Sequence, residues 1–342
     1  MNNYKWILGA AAFMAAAVFS AYAQDEGGAE GGEAADEAAP AAESEEPKVD
    51  VKPRPAEIMP LTAKGLLLDV VHTGEKFVAV GDRGGIIVSV DGQAWQQVAV
   101  PVRAALTAVH FADPQHGWAV GHDAAIVATA DGGATWKLQY FQPDLEKPLL
   151  DVLFLDATHG IAIGAYGLML ATDNGGESWG ELDAASIREE EVHFNALARL
   201  GNGSLFIAGE SGMLAVSADQ GKTWKKLTSP YDSSYFGALP VGDKGALIFG
   251  LRGNAFMTQD VNSNKWTKLE TNSVASMFGG TVLPSGELAM VGLNGVIFIT
   301  DASGTVRGLQ TPTGTPLSAA IPLDGGLLAV GESGVQALAS LK

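Results

Sequence analysis

Seven times along the chain an apolar run closes on a glycine, passes two variable residues and resumes as a second apolar run. The marker glycines are Gly81, Gly121, Gly164, Gly209, Gly250, Gly292 and Gly331, with successive steps of 40, 43, 45, 41, 42 and 39 residues. That period is the length of a four-stranded propeller blade, a unit too small to bury its own faces without neighbours. The expected fold is all-β: a seven-bladed β-propeller over residues 58–342, four antiparallel strands to a blade.

The second copy shows the strands most plainly: LTAVHF (106–111), GWAVG (117–121), AIVATA (125–130) and WKLQY (136–140). All are rich in β-branched or aromatic residues and end at Gly, Asp or Pro. None of the units carries apolar positions at helical spacing over ten or more residues, so helix content should be close to nil. An open array would expose two sheet edges, and the seventh unit runs out at Leu341 without a fourth strand. Residues 57–62, EIMPLT, are expected to supply it, so that the N-terminal strand completes the last blade and closes the ring.

Ahead of the repeats, MNNYKW is followed by the apolar run ILGAAAFMAAAVFS and by Ala21-Tyr22-Ala23, the order of a secretory signal over residues 1–23. The run is shorter than the ~20 residues a spanning helix needs. Residues 24–57 hold eleven acids against Lys48, Lys52 and Arg54 and almost no large apolar side chain, the composition of an acidic disordered linker. An exported chain, periplasmic and associated with the membrane surface, is the expectation. The absence of cysteine rules out disulfide support.

The stretch SADQGKTW (217–224) ends like a nucleotide-binding loop, but Val216 stands where such a loop needs its first glycine. Its relatives are SVDGQAW, TADGGATW, TDNGGESW and TQDVNSNKW, and together they match the Asp box of sialidase-type propellers. Asp91, Asp131, Asn174 and Asp219 are read as turn acceptors, Gly133, Gly176 and Gly221 as residues that take positive φ, and Trp95, Trp136, Trp179, Trp224 and Trp266 as covers for the seams between blades. Blade six sets Arg307 where the tryptophan would be, and blade seven has no such turn. One carboxylate in a glycine turn falls short of the six to eight oxygens calcium takes.

Other chemistries lack their residues. With a formal net charge of −18 the chain is a poor ligand for a phosphate backbone, so no nucleic acid partner is expected. The six histidines form no tight ligand pair, which leaves no metal site, and no cofactor or small-molecule substrate is evident. No nucleophile elbow occurs.

In a propeller of this strand order, the turns between second and third strands share a face with the links between blades. That face collects Asp82, Arg83, Arg103, His122, Asp123, Tyr166, Arg188, Glu210, Tyr231, Tyr235, Arg252, Asn294 and Glu332, the candidate partner-binding residues. Arginine and tyrosine are typical anchors of protein interfaces. An alternative casts Tyr166 and Glu210 as nucleophile and base of a sialidase-like glycoside hydrolase near Arg83 and Arg252, although no Arg-Ile-Pro signature precedes the first blade.

Two stretches, GHDAAIVATADGGATW (121–136) and GAYGLMLATDNGGESW (164–179), carry a specific likeness. Through them the chain resembles the photosystem II stability and assembly factor family, over essentially all of residues 58–342. The resemblance implies a noncatalytic, exported, seven-bladed scaffold that binds membrane or envelope protein complexes, in non-photosynthetic bacteria including exporters of the resistance-nodulation-division (RND) type. A monomer is the expected form. The acidity of this chain departs from the basic surface of the photosynthetic members.

Overall fold

The computed structural model describes residues 51–188 and 192–338. The signal segment, most of the acidic linker and Glu189, Glu190 and Glu191 lie outside the described residues. Seven antiparallel sheets follow one another along the chain, each in simple sequential strand order. The first strands of the blades are Leu67–His72, Leu106–Phe111, Leu149–Phe154, Phe194–Arg199, Tyr235–Val241, Met277–Val282 and Leu317–Leu323. Each packs against the first strand of the next blade, and the last packs against the first, which closes the ring. In blade two the strands run Leu106–Phe111, Gly117–Gly121, Ile126–Thr129 and Lys137–Tyr140, in the places the sequence assigns. No α-helix occurs among the described residues; the turns are short 3-10 segments.

The repeat explains the packing. Second strands such as FVAVG and GIAIG are buried along their whole length, as expected of strands covered on both faces. The core divides into seven apolar clusters, and each spans one seam between adjacent blades. Trp136 lies with Val78 and Val80 of blade one, Trp179 against the cluster of blades two and three, and Trp224 with Ile161 and Ile163 of blade three. Trp95 and Trp266 cover the seams of blades seven and one and of blades four and five. In blade six the turn slips by one residue: Thr305 N–H donates to Asp301, so Val306 takes the tryptophan's place at the seam. Arg307 instead points out and pairs with Glu287 at 3.0 Å.

The expected closing strand is not among the strands found. Blade seven has three, and residues 57–62 run through an irregular path into the 3-10 turn Thr62–Lys64. Pro60 has no N–H to give a ladder, and the donors of Met59 and Thr62 go to the Gln97 side chain of blade one. Ala56 N–H, just ahead of it, donates to Val100 O at 3.0 Å, and the turn that follows packs against the third strand of blade seven without pairing as a strand.

Candidate functional site

Between the second and third strands of the first six blades, a 3-10 turn carries its middle residue in the left-handed region. These residues are Arg83, Asp123, Tyr166, Ser211, Arg252 and Asn294, with φ between 51 and 59°. All six are exposed. Left-handed backbone costs an ordinary residue about 1 to 2 kcal/mol. The turn is forced from behind: the next residue, Gly253 in blade five, packs so tightly that a Cβ there would meet Ser273 O, and Gly84 is held likewise against Val102 O. Because these contacts are to the links between blades, the turns and links share one face. The Ser/Thr-x-Asp turns lie on the other, against the loops joining first and second strands, where Gly132 N–H reaches Gln115 O and Gly175 N–H reaches Thr158 O.

The Asp turns are closed hydrogen-bond units. Asp131 accepts from Thr129 Oγ1, Thr135 N and Thr135 Oγ1, and Asp219 does the same with Ser217 and Thr223. The threonine hydroxyl, then the threonine N–H, hold both carboxyls down at about 2. In blade three Asn174 Oδ1 accepts from Thr172 Oγ1 and Ser178 N, and its Nδ2 donates to Ser178 Oγ, all without charge. No group of three potential metal ligands occurs among the described residues.

On the opposite face most candidate residues have partners. Arg83 pairs with Asp82 at 3.4 Å and Arg103 with Glu57 at 3.0 Å. Tyr166 sets its ring edge-on to His193, 4.7 Å between centroids, and Glu210 lies 3.7 Å from His193 Nδ1. His122 is half-buried, and burial pushes its pKa down. Arg188 folds back onto Glu181 (2.8 Å) and the Leu182 carbonyl (2.7 Å), with its stem over Gly167. It braces the turn. Asp123, Arg252, Asn294 and Glu332 are exposed, and no ion pair forms at Arg252 among the described residues.

Tyr235 does not belong to this face. It is fully buried at the start of the first strand of blade five, packed edge-on against Phe256, with its hydroxyl 2.8 Å from Ser229 Oγ. Burial raises its pKa to about 12. Tyr231, half-buried, stacks over Phe256 beside it. As for the hydrolase arrangement, Tyr166 and Glu210 do meet around His193, but Arg83 and Arg188 are already paired and Arg252 stands on blade five. Among the described residues, Arg83 and Arg252 therefore do not converge as two free guanidinium groups on Tyr166 and Glu210.

The ring axis holds what the sequence reading passed over. The second residue of each first strand bulges out of register, and these bulges line an axial cavity of about 350 Å³. Asp69 and Asp151 line it from blades one and three, each bonded to the next blade: Asp69 accepts from Val109 N of blade two at 2.8 Å, and Asp151 from Leu197 N of blade four at 2.7 Å. Thr107 Oγ1 donates to Leu149 O, and Asn195 Nδ2 to Tyr235 O. Polar brackets thus join blades one to five. Blades five and six meet instead through Phe236 and Phe278, 5.6 Å apart. The available signal was LLDV, which occurs at 67–70 and 149–152 and puts a carboxylate inside an apolar strand.

The model of the family described as photosynthesis system II assembly factor YCF48 matches residues 87–146 and 138–307. The chain belongs to this family. Within the YCF48 family, the photosystem II stability/assembly factor HCF136, chloroplastic, of Cyanidioschyzon merolae (strain NIES-3377 / 10D) is 35% identical over 88 residues, 24% of this chain and 20% of that protein. The photosystem II assembly protein Ycf48 of Thermosynechococcus vestitus (strain NIES-2133 / IAM M-273 / BP-1) is 37% identical over 51 residues, 15% of each chain. The chain therefore aligns with a fifth or less of these relatives' lengths. Among solved structures, YCF48 bound to D1 peptide superposes with a TM-score of 0.65 at 17% identity, over 84% of this chain and 97% of that one. YCF48 from Cyanidioschyzon merolae gives 0.63 at 17%, over 82% and 96%. The WD40 propeller of Doa1 gives 0.63 at 15%, over 79% and 90%, so the architecture extends well beyond the YCF48 family.

Proposed function

We propose that this chain is a noncatalytic assembly factor that grips a protein client on the face carrying the left-handed turns. The observation that carries the reading is the row of six exposed residues, one per blade, held at φ 51–59° on that face. Strained backbone persists where the surrounding structure over-determines it, and such positions gather at binding surfaces. Among them Arg83, Tyr166 and Arg252 have the chemistry of interface anchors. The named relatives are assembly or stability factors, and one related propeller has been solved with a D1 peptide, which supports a protein client. The client class we assign is a membrane protein complex of the cell envelope, an RND-type exporter among the candidates. The chain would reach it as an exported, periplasmic monomer whose signal and linker precede the ring. The Ser/Thr-x-Asp turns are, on this reading, Asp boxes with a purely structural role.

The test is charge reversal at Arg83 and Arg252, Arg to Glu, followed by capture of envelope proteins. Loss of specific membrane proteins supports the reading; an unchanged set of partners rejects it.

A further inference from the structure

The axial cavity is divided by chemistry. Its walls at blades one, three and four present Asp69, Asp151 and Asn195; its walls at blades five and six present Phe236 and Phe278. Leu67 stands opposite Gly81, so the bulge and Asp69 lie at the end of the channel nearest the left-handed turns. Its volume of about 350 Å³ falls in the range of small-molecule sites, which are apolar hollows with a few convergent polar groups.

We propose that this cavity is a binding site for an organic ammonium: a cationic head held between Asp69 and Asp151, with an apolar stem laid against Phe236 and Phe278. Each carboxylate oxygen accepts one backbone N–H, at 2.7 to 2.8 Å, which leaves a second lone pair on each for a ligand donor. The lining carries no lysine, arginine or histidine, so the cavity wall offers neither carboxylate a cation. Burial drives both up to about 7, and at Asp151 the charge of Asp69 adds to the shift. From the strands packed against them, the other titratable groups turn elsewhere. His72 lies against Phe77, and Arg199 is exposed at the far end of its strand. His110 is kept neutral by burial, at about 4, and accepts Phe154 N–H. An aromatic ring is also a favourable wall for a cation. A phosphate or carboxylate ligand is disfavoured by the same two groups.

The experiment is calorimetric titration of the full chain with 2-phenylethylamine and its uncharged counterpart 2-phenylethanol. An ammonium between two carboxylates that titrate near neutrality must displace protons, so its affinity should rise about tenfold or more from about pH 5.5 to about pH 8, with proton release seen as a buffer-dependent heat at about pH 7. The alcohol should bind at least about tenfold more weakly at the upper pH and show no such dependence. Asp151→Asn should remove about half of the pH dependence, leaving the part due to Asp69. Should that variant not fold, the wild-type pH profile and the alcohol decide alone. Acetyl-Gly-Lys-Gly-amide separates the two sources of an ammonium: tighter binding than the free amine assigns the site to a client's lysine, weaker binding to a small amine. No heat up to about 10 mM amine, equal binding of the alcohol, or an affinity flat with pH would each overturn the proposal.

Discussion

The Oδ2 atom of Asp151 in blade three accepts the N–H of Leu197 in blade four at 2.7 Å, and Asp69 makes the equivalent bond from blade one to Val109 of blade two at 2.8 Å. Two blades separated by one other thus use the same buried carboxylate to fasten the neighbour that follows. The bond is made from inside the ring, where charge is poorly solvated.

This arrangement fixes a sign for the pH dependence of stability. Asp69 and Asp151 are raised from 3.8 to about 7, so between these values the folded chain binds more protons than the unfolded one. Their contribution therefore makes unfolding easier as pH rises from about 5 to about 8. Asp131 and Asp219 act oppositely: held at about 2, they stabilise above 3.8 and lose that effect as pH falls toward 2. Urea unfolding at several pH values checks this. Asp69→Asn with Asp151→Asn should flatten the slope between about pH 5 and 8.

Trp136 is almost fully buried across the seam of blades one and two, so Trp136→Ala should cost about 3 to 5 kcal/mol. Arg307→Ala, which removes an exposed ion pair with Glu287, should cost less than about 1 kcal/mol. Denaturant midpoints at constant m distinguish the two.

The left-handed turns give a paired prediction. Tyr166→Gly and Asn294→Gly relieve positive φ and should leave stability unchanged or raise it by up to about 1 kcal/mol while weakening client capture. Gly253→Ala, whose Cβ would strike Ser273 O, should destabilise by about 1 to 3 kcal/mol.

Tyr235 separates core from surface. Tyr235→Phe loses the bond to Ser229 and should cost about 1 kcal/mol in stability, with client capture unaffected.

The blade count, the strand limits of blade two and the seam position of the tryptophans were legible because glycine and tryptophan recur at fixed offsets, and each offset has one steric meaning. Tyr235 was not, since a tyrosine beside a link reads as surface until the strand register turns it inward. The one-residue slip in blade six was hidden for a similar reason: Asp301 follows Thr300 directly, and only the bond from Thr305 shows that Val306 fills the seam. Asp69 and Asp151 were visible as letters in LLDV, but their bonds cross to the next blade, and no local pattern reports a contact some 40 residues away. The closing strand was inferred from topology, while Pro60 lacks a ladder donor and Met59 N–H is taken by the Gln97 side chain, so no strand forms there.

The most direct test of the account places a photo-crosslinking residue, one at a time, at Tyr166, Arg252 and Asn294 on the turn face and at Val90 and Lys222 on the opposite face. Irradiation in native membranes should yield the same membrane-protein adduct from the first three positions and none from the other two. Adducts of equal strength from both faces, or from Val90 and Lys222 alone, would contradict a client held by the left-handed turns.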